Sequence, residues 1–171
     1  MVVRDAVVGD MTDFRLPRPV DAVVCTQDSQ GHLLTNEALV AHLRAVRDNL
    51  RPGGLYLFDR MVPYRWGLTR YAWTKRRRGI TVRTTFRTLL DYDPISQVCR
   101  EEMRFDIEAG GRRHVVTQQH RTRVVFPQEL RALVALAGGL ELAAWFSNFD
   151  LRQPLERATG AMMLVAVLRR P

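Results

Sequence analysis

The 171-residue chain is poor in the groups that staple small folds: it has two cysteines, Cys25 and Cys99, and no C-x-x-C pair. That excludes a disulfide framework and the usual zinc spacings, so no metal is expected. No uninterrupted apolar run approaches the ~18–20 residues of a membrane span. The opening MVVRDAVVGDMTDF carries no signal-peptide core. A reducing, cytoplasmic setting is the expectation. A Ser-His-Asp order, a Walker loop and a dinucleotide-binding G-x-G-x-x-G are also missing. The commonest hydrolase, nucleotidase and dehydrogenase readings go with them.

What is present is the material of one soluble, cored domain: 46% hydrophobic, 26% charged and 8% aromatic residues. At this length folding hides about 70% of the unfolded surface, so the core needs no staple. The 26 Lys+Arg against 18 Asp+Glu give a net charge of +8. The excess is local. Residues 70–90 carry Arg70, Lys75, Arg76, Arg77, Arg78, Arg83 and Arg87 with no acid among them. Such a run leaves a basic RNA-associated domain open as an alternative. However, aromatics do not interleave with the cations on one face, as single-strand binding requires. Four cations beside Gly79 read more simply as a solvated hairpin tip.

The first half alternates strand and helix. Ala6, Val7 and Val8 form a short apolar run, and residues 21–25 a second; runs of this kind suit strands covered on both faces. Thr35 is a good N-cap for a helix whose Leu39, Leu43, Val46 and Leu50 make one apolar stripe. Pro52-Gly53-Gly54 stops it, with a glycine for the left-handed turn. Residues 55–59 then form a third strand, which predicts a βαβ unit. From residue 69 to 125 the period drops to two, with turn signals at Asp93-Pro94 and Gly110-Gly111, as in an antiparallel meander of three or four strands. A helix follows from Pro127 to Gly138-Gly139. Two strands, at residues 140–149 and 162–168, close the chain around a loop with Pro154.

Residues 9–59, with Asp21-Ala22-Val23-Val24, Cys25-Thr26-Gln27-Asp28-Ser29, Leu33-Leu34-Thr35 and Arg51-Pro52-Gly53-Gly54, resemble the middle of a class I S-adenosylmethionine (SAM)-dependent methyltransferase. His120-Arg121, Phe126-Pro127, Glu129-Leu130 and Ala137-Gly138-Gly139-Leu140 resemble that family's C-terminal segment. The resemblance implies an α/β fold: a truncated Rossmann-like class I methyltransferase sheet with an antiparallel β meander inserted. The chain would be one methyltransferase-like domain, with a partial Rossmann-like core at 1–66, a substrate-side meander at 67–125 and a C-terminal helix and strand pair at 126–171. The family's sheet order is 3-2-1-4-5-7-6, and Met1 falls just before the segment that resembles strand three. The family's G-x-G-x-G loop, which approaches the methionyl part of SAM, has no counterpart here, since no G-x-G occurs. The fourth strand's edge is then bare, to be covered by residues 2–8, by a second copy in a homo-oligomer such as a dimer, or by a complementary chain.

By this resemblance the chain is a SAM-dependent methyltransferase, or the C-terminal part of one, acting on a small-molecule nucleophile. Asp10 and Met11 would hold the adenine, unless Gly9-Asp10 is an ordinary turn. Cys25, Gln27 and Asp28 would line the methionyl pocket, although Cys25 also suits burial as a small hydrophobe and Asp28 a cap. His32 and His120 are the acid–base candidates, since histidine titrates near neutral pH; a surface or structural role is the plainer alternative for each. Tyr64 and Trp66 fall where the family builds substrate pockets, and Trp73 reads as packing. His42 reads as a helix-surface residue. The lost glycine loop also leaves open a methyltransferase-like partner subunit, ligand-binding or cyclase-type module that transfers no methyl.

Overall fold

β1 (Val20–Cys25) and β2 (Leu50–Met61) lie side by side and parallel, with Ala22 opposite Leu55 and Cys25 opposite Phe58. They are joined through one turn of 3-10 helix, Ser29–His32, and α1 (Asn36–Asn49). This is a computed structural model, and it describes residues 6–61, 70–157 and 163–171. Two compact units divide the chain: Met1–Val62 with Val125–Pro171, and Pro63–Val124.

The first unit is a five-stranded sheet in the order β1-β2-β9-β7-β8, where β7 is Glu141–Ser147, β8 Asp150–Pro154 and β9 Met163–Arg169. β9 runs antiparallel to both β2 and β7. The first four strands therefore reproduce the 4-5-7-6 half of the expected order. α1 starts where Thr35 accepts a hydrogen bond from the Ala38 amide at 3.2 Å, a cap worth about 1 kcal/mol. Its Leu39, Leu43 and Val46 are fully buried against Tyr56 and Phe58 of β2, against Leu164, Ala166 and Leu168 of β9, and against Leu130 and Val134 of α2 (Pro127–Ala137). Arg44 and Arg47 of α1 donate to the carbonyls of Leu136, Ala137 and Gly138, so the cations of one helix satisfy the last turn of the other.

Four expectations change in this unit. Ala6, Val7 and Val8 form no strand: they are extended into solvent, because a three-residue apolar run gains a strand only where an edge receives it. The parallel pair is covered on one face only among the described residues, and Val24 is 65% exposed on the other. α1 ends at Leu50 in extended backbone, not at a left-handed glycine; Gly53, at φ 78, lies inside β2 instead. The segment around Pro154 holds an additional strand, β8, reached through a two-residue turn in which Asn148 and Phe149 both have positive φ.

The second unit is a four-stranded antiparallel sheet, β3-β4-β5-β6, formed by Arg70–Arg77, Ile80–Leu90, Val98–Ala109 and Arg112–Arg123. Arg78 and Gly79 both take left-handed backbone, so the cationic run ends in a tight two-residue hairpin turn as the composition suggests. Trp73, expected to pack, is 42% exposed on β3, one of the two edge strands of this sheet. No helix among the described residues is long and apolar enough to cross a membrane.

Candidate active site

Because β1 and β2 are parallel, Cys25 and Phe58-Asp59 arrive at the same edge of the sheet, the carboxyl edge where open α/β sheets take ligands. The chain leaving β1 is bent sharply there. Gln27 (φ 61) and Asp28 (φ 52) are both left-handed, a conformation that costs an L-residue roughly 1–2 kcal/mol. Asp59, 1% exposed, offsets this: its carboxylate accepts the Gln27 amide at 2.8 Å and the Asp28 amide at 3.1 Å. Asp28 thus makes no side-chain cap on the turn that follows it. Its carboxylate instead lies 3.9 Å from the guanidinium of Arg60, which is almost wholly buried.

Behind this turn lies a buried polar cluster. The Met11 carbonyl accepts from His42 Nδ1 at 2.8 Å, and His42 Nε2 lies 2.7 Å from the Tyr56 hydroxyl. Gln30 donates to that hydroxyl at 2.6 Å and accepts from Arg60 Nη1 at 3.2 Å. Gln30 and Tyr56 are fully buried and His42 is 3% exposed, which overturns the helix-surface reading of His42. Residue 42 lies three after Leu39 and four before Val46, inside the apolar stripe, and that spacing was the signal for its burial. Gln30, Tyr56, Asp59, Arg60 and Asn49 were likewise missed as site residues. Asn49 accepts from the Leu16 amide and donates to the Phe14 carbonyl, pinning the segment after Met11 to the end of α1.

Of the proposed cofactor residues, Cys25, Gln27 and Asp28 meet at the sheet edge, and Met11 is joined to them through His42. Asp10 is exposed, and its carboxylate accepts from both the amide and the hydroxyl of Thr12, which hold it below the ordinary carboxylate range. Met11 is half-buried over α1 and shares His42 with the cluster. Cys25 is half-buried, not enclosed, and burial pushes its thiol up, with the nearby Asp59 and Asp28 charges adding to the effect. His32 closes the 3-10 turn and is exposed. His120 sits in the other unit, on β6, where its Nε2 is 3.1 Å from Glu101 of β5, and Glu101 in turn accepts from Thr88 of β4 at 2.8 Å. Tyr64 and Trp66 lie outside the described residues.

Burial holds the His42 imidazole below its ordinary pKa of 6.5, with the Arg60 charge adding and the Met11 carbonyl opposing. A lowered folded pKa means the unfolded chain takes up the proton first. Stability is therefore complete above the unfolded value and is lost as pH falls from there toward the folded one. Urea midpoints measured from about pH 7 to about pH 5 should fall for the native chain, and the fall should be shallower in His42→Gln. Parallel profiles would show that another group carries the acid sensitivity.

A half-sheet in the order 4-5-7-6, a left-handed turn after the first of its parallel strands and an acid near the carboxyl end of the second match the class I SAM-dependent methyltransferase fold. Comparisons with known proteins agree with this. Over 51 residues, 30% of this chain and 22% of the relative, the sequence is 43% identical to a dTDP-3-amino-3,4,6-trideoxy-alpha-D-glucopyranose N,N-dimethyltransferase of Streptomyces venezuelae. A SAM-dependent methyltransferase of Clostridium acetobutylicum superposes with a TM-score of 0.77 at 14% identity, over 95% of this chain and 63% of that one. A SAM-bound amino pentose methyltransferase of Micromonospora echinaspora superposes at 0.70 with 25% identity, again over 95% and 63%. The chain thus spans less than two thirds of the length of each of these structures. No family model matches it.

Proposed function

We propose that this chain is the acceptor-side part of a SAM-dependent N-methyltransferase whose substrate is the amino group of a small molecule, an amino sugar foremost. The observation that carries the reading is the Asp59 clamp on Gln27 and Asp28 at the tips of two parallel strands. It holds a strained turn at the point where this fold takes the methionyl end of its cofactor. The names of the relatives supply the acceptor class.

The residues present fit two ends of SAM. The exposed Asp10 carboxylate can accept from the adenine amino group, with Met11 beside the ring. Cys25, Gln27 and Asp28 border the methionyl end, and the Asp28 carboxylate suits an ammonium. When bound, SAM supplies an electrophilic methyl group on a sulfonium. The protein's part is alignment, because a positioned lone pair makes the encounter effectively intramolecular. The acceptor nitrogen must then shed a proton, and His32 and His120 are the proposed bases. His120 has the geometry of an oriented one: Nε2–H donates to Glu101, which Thr88 holds from the far side. Tyr64 and Trp66, which lie outside the described residues, keep their proposed role toward the acceptor, and the protein is placed in the cytoplasm. The outer edge of β1 takes a second copy or a complementary chain.

Calorimetric titration of the chain with SAM tests the reading. Binding with a dissociation constant below about 1 mM is expected, weakened in Asp28→Asn. No heat across that range would leave a methyltransferase-like module that does not hold the cofactor by itself.

A further inference from the structure

The buried cluster behind the turn has a single consistent direction. A backbone carbonyl only accepts, so Met11 fixes the proton of His42 on Nδ1. Nε2 then has only a lone pair to offer, and the Tyr56 hydroxyl donates to it. That leaves Tyr56 Oη as acceptor for the Gln30 amide, whose own oxygen faces Arg60. Every member has a partner, and the Cys25 thiol at the tip of β1 shares the Tyr56 hydroxyl. The chain of bonds runs from the segment carrying Asp10 and Met11, through α1 and β2, to the turn carrying Gln27 and Asp28. Nothing in the fold requires polar groups there: Tyr56 packs on Phe58 with ring centroids 4.9 Å apart, inside the hydrophobic core. Buried polar groups in such a place cost free energy unless all are paired, and when all are paired they specify one arrangement.

We propose that His42 and Tyr56 are positioning residues that couple the two loops of the cofactor site, so that ordering the Asp10–Met11 loop also orders the Gln27–Asp28 turn. The proposal rests on assigning those loops to the two ends of SAM, but the coupling itself is a property of this chain and is testable without a ligand. The lowered imidazole pKa agrees with it, because only the neutral ring can accept from Tyr56.

Three readouts on the full chain decide the matter. Nitrogen-15 spectra of His42 should show the Nδ1–H tautomer; an Nε2–H tautomer overturns the direction of the chain. In Tyr56→Phe, which keeps the ring and removes the hydroxyl, amide hydrogen exchange should speed up by about tenfold at both Thr12–Asp13 and Gly31–Leu33, as expected for a lost buried hydrogen bond. Amides between β2 and β9 should be unchanged. Exchange that rises only beside residue 56 overturns coupling. His42→Gln should produce the same two-ended change, and the double variant should add little to either single one, because both cut the same chain; additive effects refute it. SAM titration of the same variants separates the two levels. Coupled exchange without SAM binding retains the relay and removes the cofactor assignment, whereas SAM binding unaffected by either variant removes the positioning role.

Discussion

Asp59→Asn lowers the unfolding free energy by about 3 kcal/mol, the sum expected for losing one charge-assisted hydrogen bond and burying a donor against a donor. The carboxylate takes two backbone amides with its two oxygens, 2.8 Å from Gln27 and 3.1 Å from Asp28. Asparagine can accept only one of them, and its NH2 then points at the other amide. The site is 1% exposed, so water cannot mend the mismatch. The left-handed backbone at Gln27 and Asp28 also loses the interaction that offset it. An exposed acid gives the control. Asp21 pairs with Arg51 at 2.8 Å, but both side chains are more than half exposed, and removing such a pair costs no more than about 1 kcal/mol. Urea unfolding of Asp59→Asn and Asp21→Asn side by side tests the contrast. Equal losses would mean that the turn is held by something other than Asp59.

That carboxylate shows how far residue types alone carried the reading. The parallel pair, α1 with its Thr35 cap and the antiparallel meander, though not its count of four strands, were legible because each rests on local pattern: a 3.6-residue stripe, a period of two, a proline or paired glycines. Asp59 was legible only as the last residue of an apolar strand. Its function depends on Gln27 and Asp28 lying opposite it, 31 or 32 residues away in sequence, and no local pattern encodes that. The His42–Tyr56–Gln30 cluster was obscured for a related reason: a polar residue within an apolar stripe reads as surface until its partners are known. Ala6, Val7 and Val8 failed the other way. They have strand propensity, but propensity yields to pairing, and these residues pair with nothing among those described. β8 follows a turn built on Asn148 and Phe149 at positive φ, where the usual glycine signal is absent. Of the site, Asp10, Met11, Cys25, Gln27 and Asp28 came from the family resemblance; the structure puts Cys25, Gln27 and Asp28 at one sheet edge and ties Met11 to α1 through His42.

Gly53 and Gly54 look interchangeable in the sequence, yet Gly54→Ala should destabilise by about 3 kcal/mol and Gly53→Ala by about 1 kcal/mol. Both were read as a helix stop, and neither serves as one. Gly53 has φ 78 with nothing within 4 Å of where a Cβ would stand, so its substitution meets only the conformational penalty. Gly54 is different. A Cβ there would lie 2.8 Å from the Arg51 carbonyl oxygen, 3.2 Å from that of Asp21 and 3.2 Å from Leu50 Cδ2. Two of those three atoms are backbone, and Asp21 belongs to β1, so no rotamer change can make room. Relief requires the bend from Arg51 to Gly54 to open and β1 to move away from β2, in the register that brings Cys25 opposite Phe58 and the Gln27 amide onto Asp59. The glycine after Gly53 is thus the point at which the crossover closes tightly enough for the two strand tips to share a carboxylate. Urea unfolding orders the two variants, and amide exchange at Gln27 and Asp28 should rise in Gly54→Ala alone. A larger loss at Gly53 would show that the segment needs its left-handed bend more than its close approach, and would detach the paired glycines from the geometry of the site.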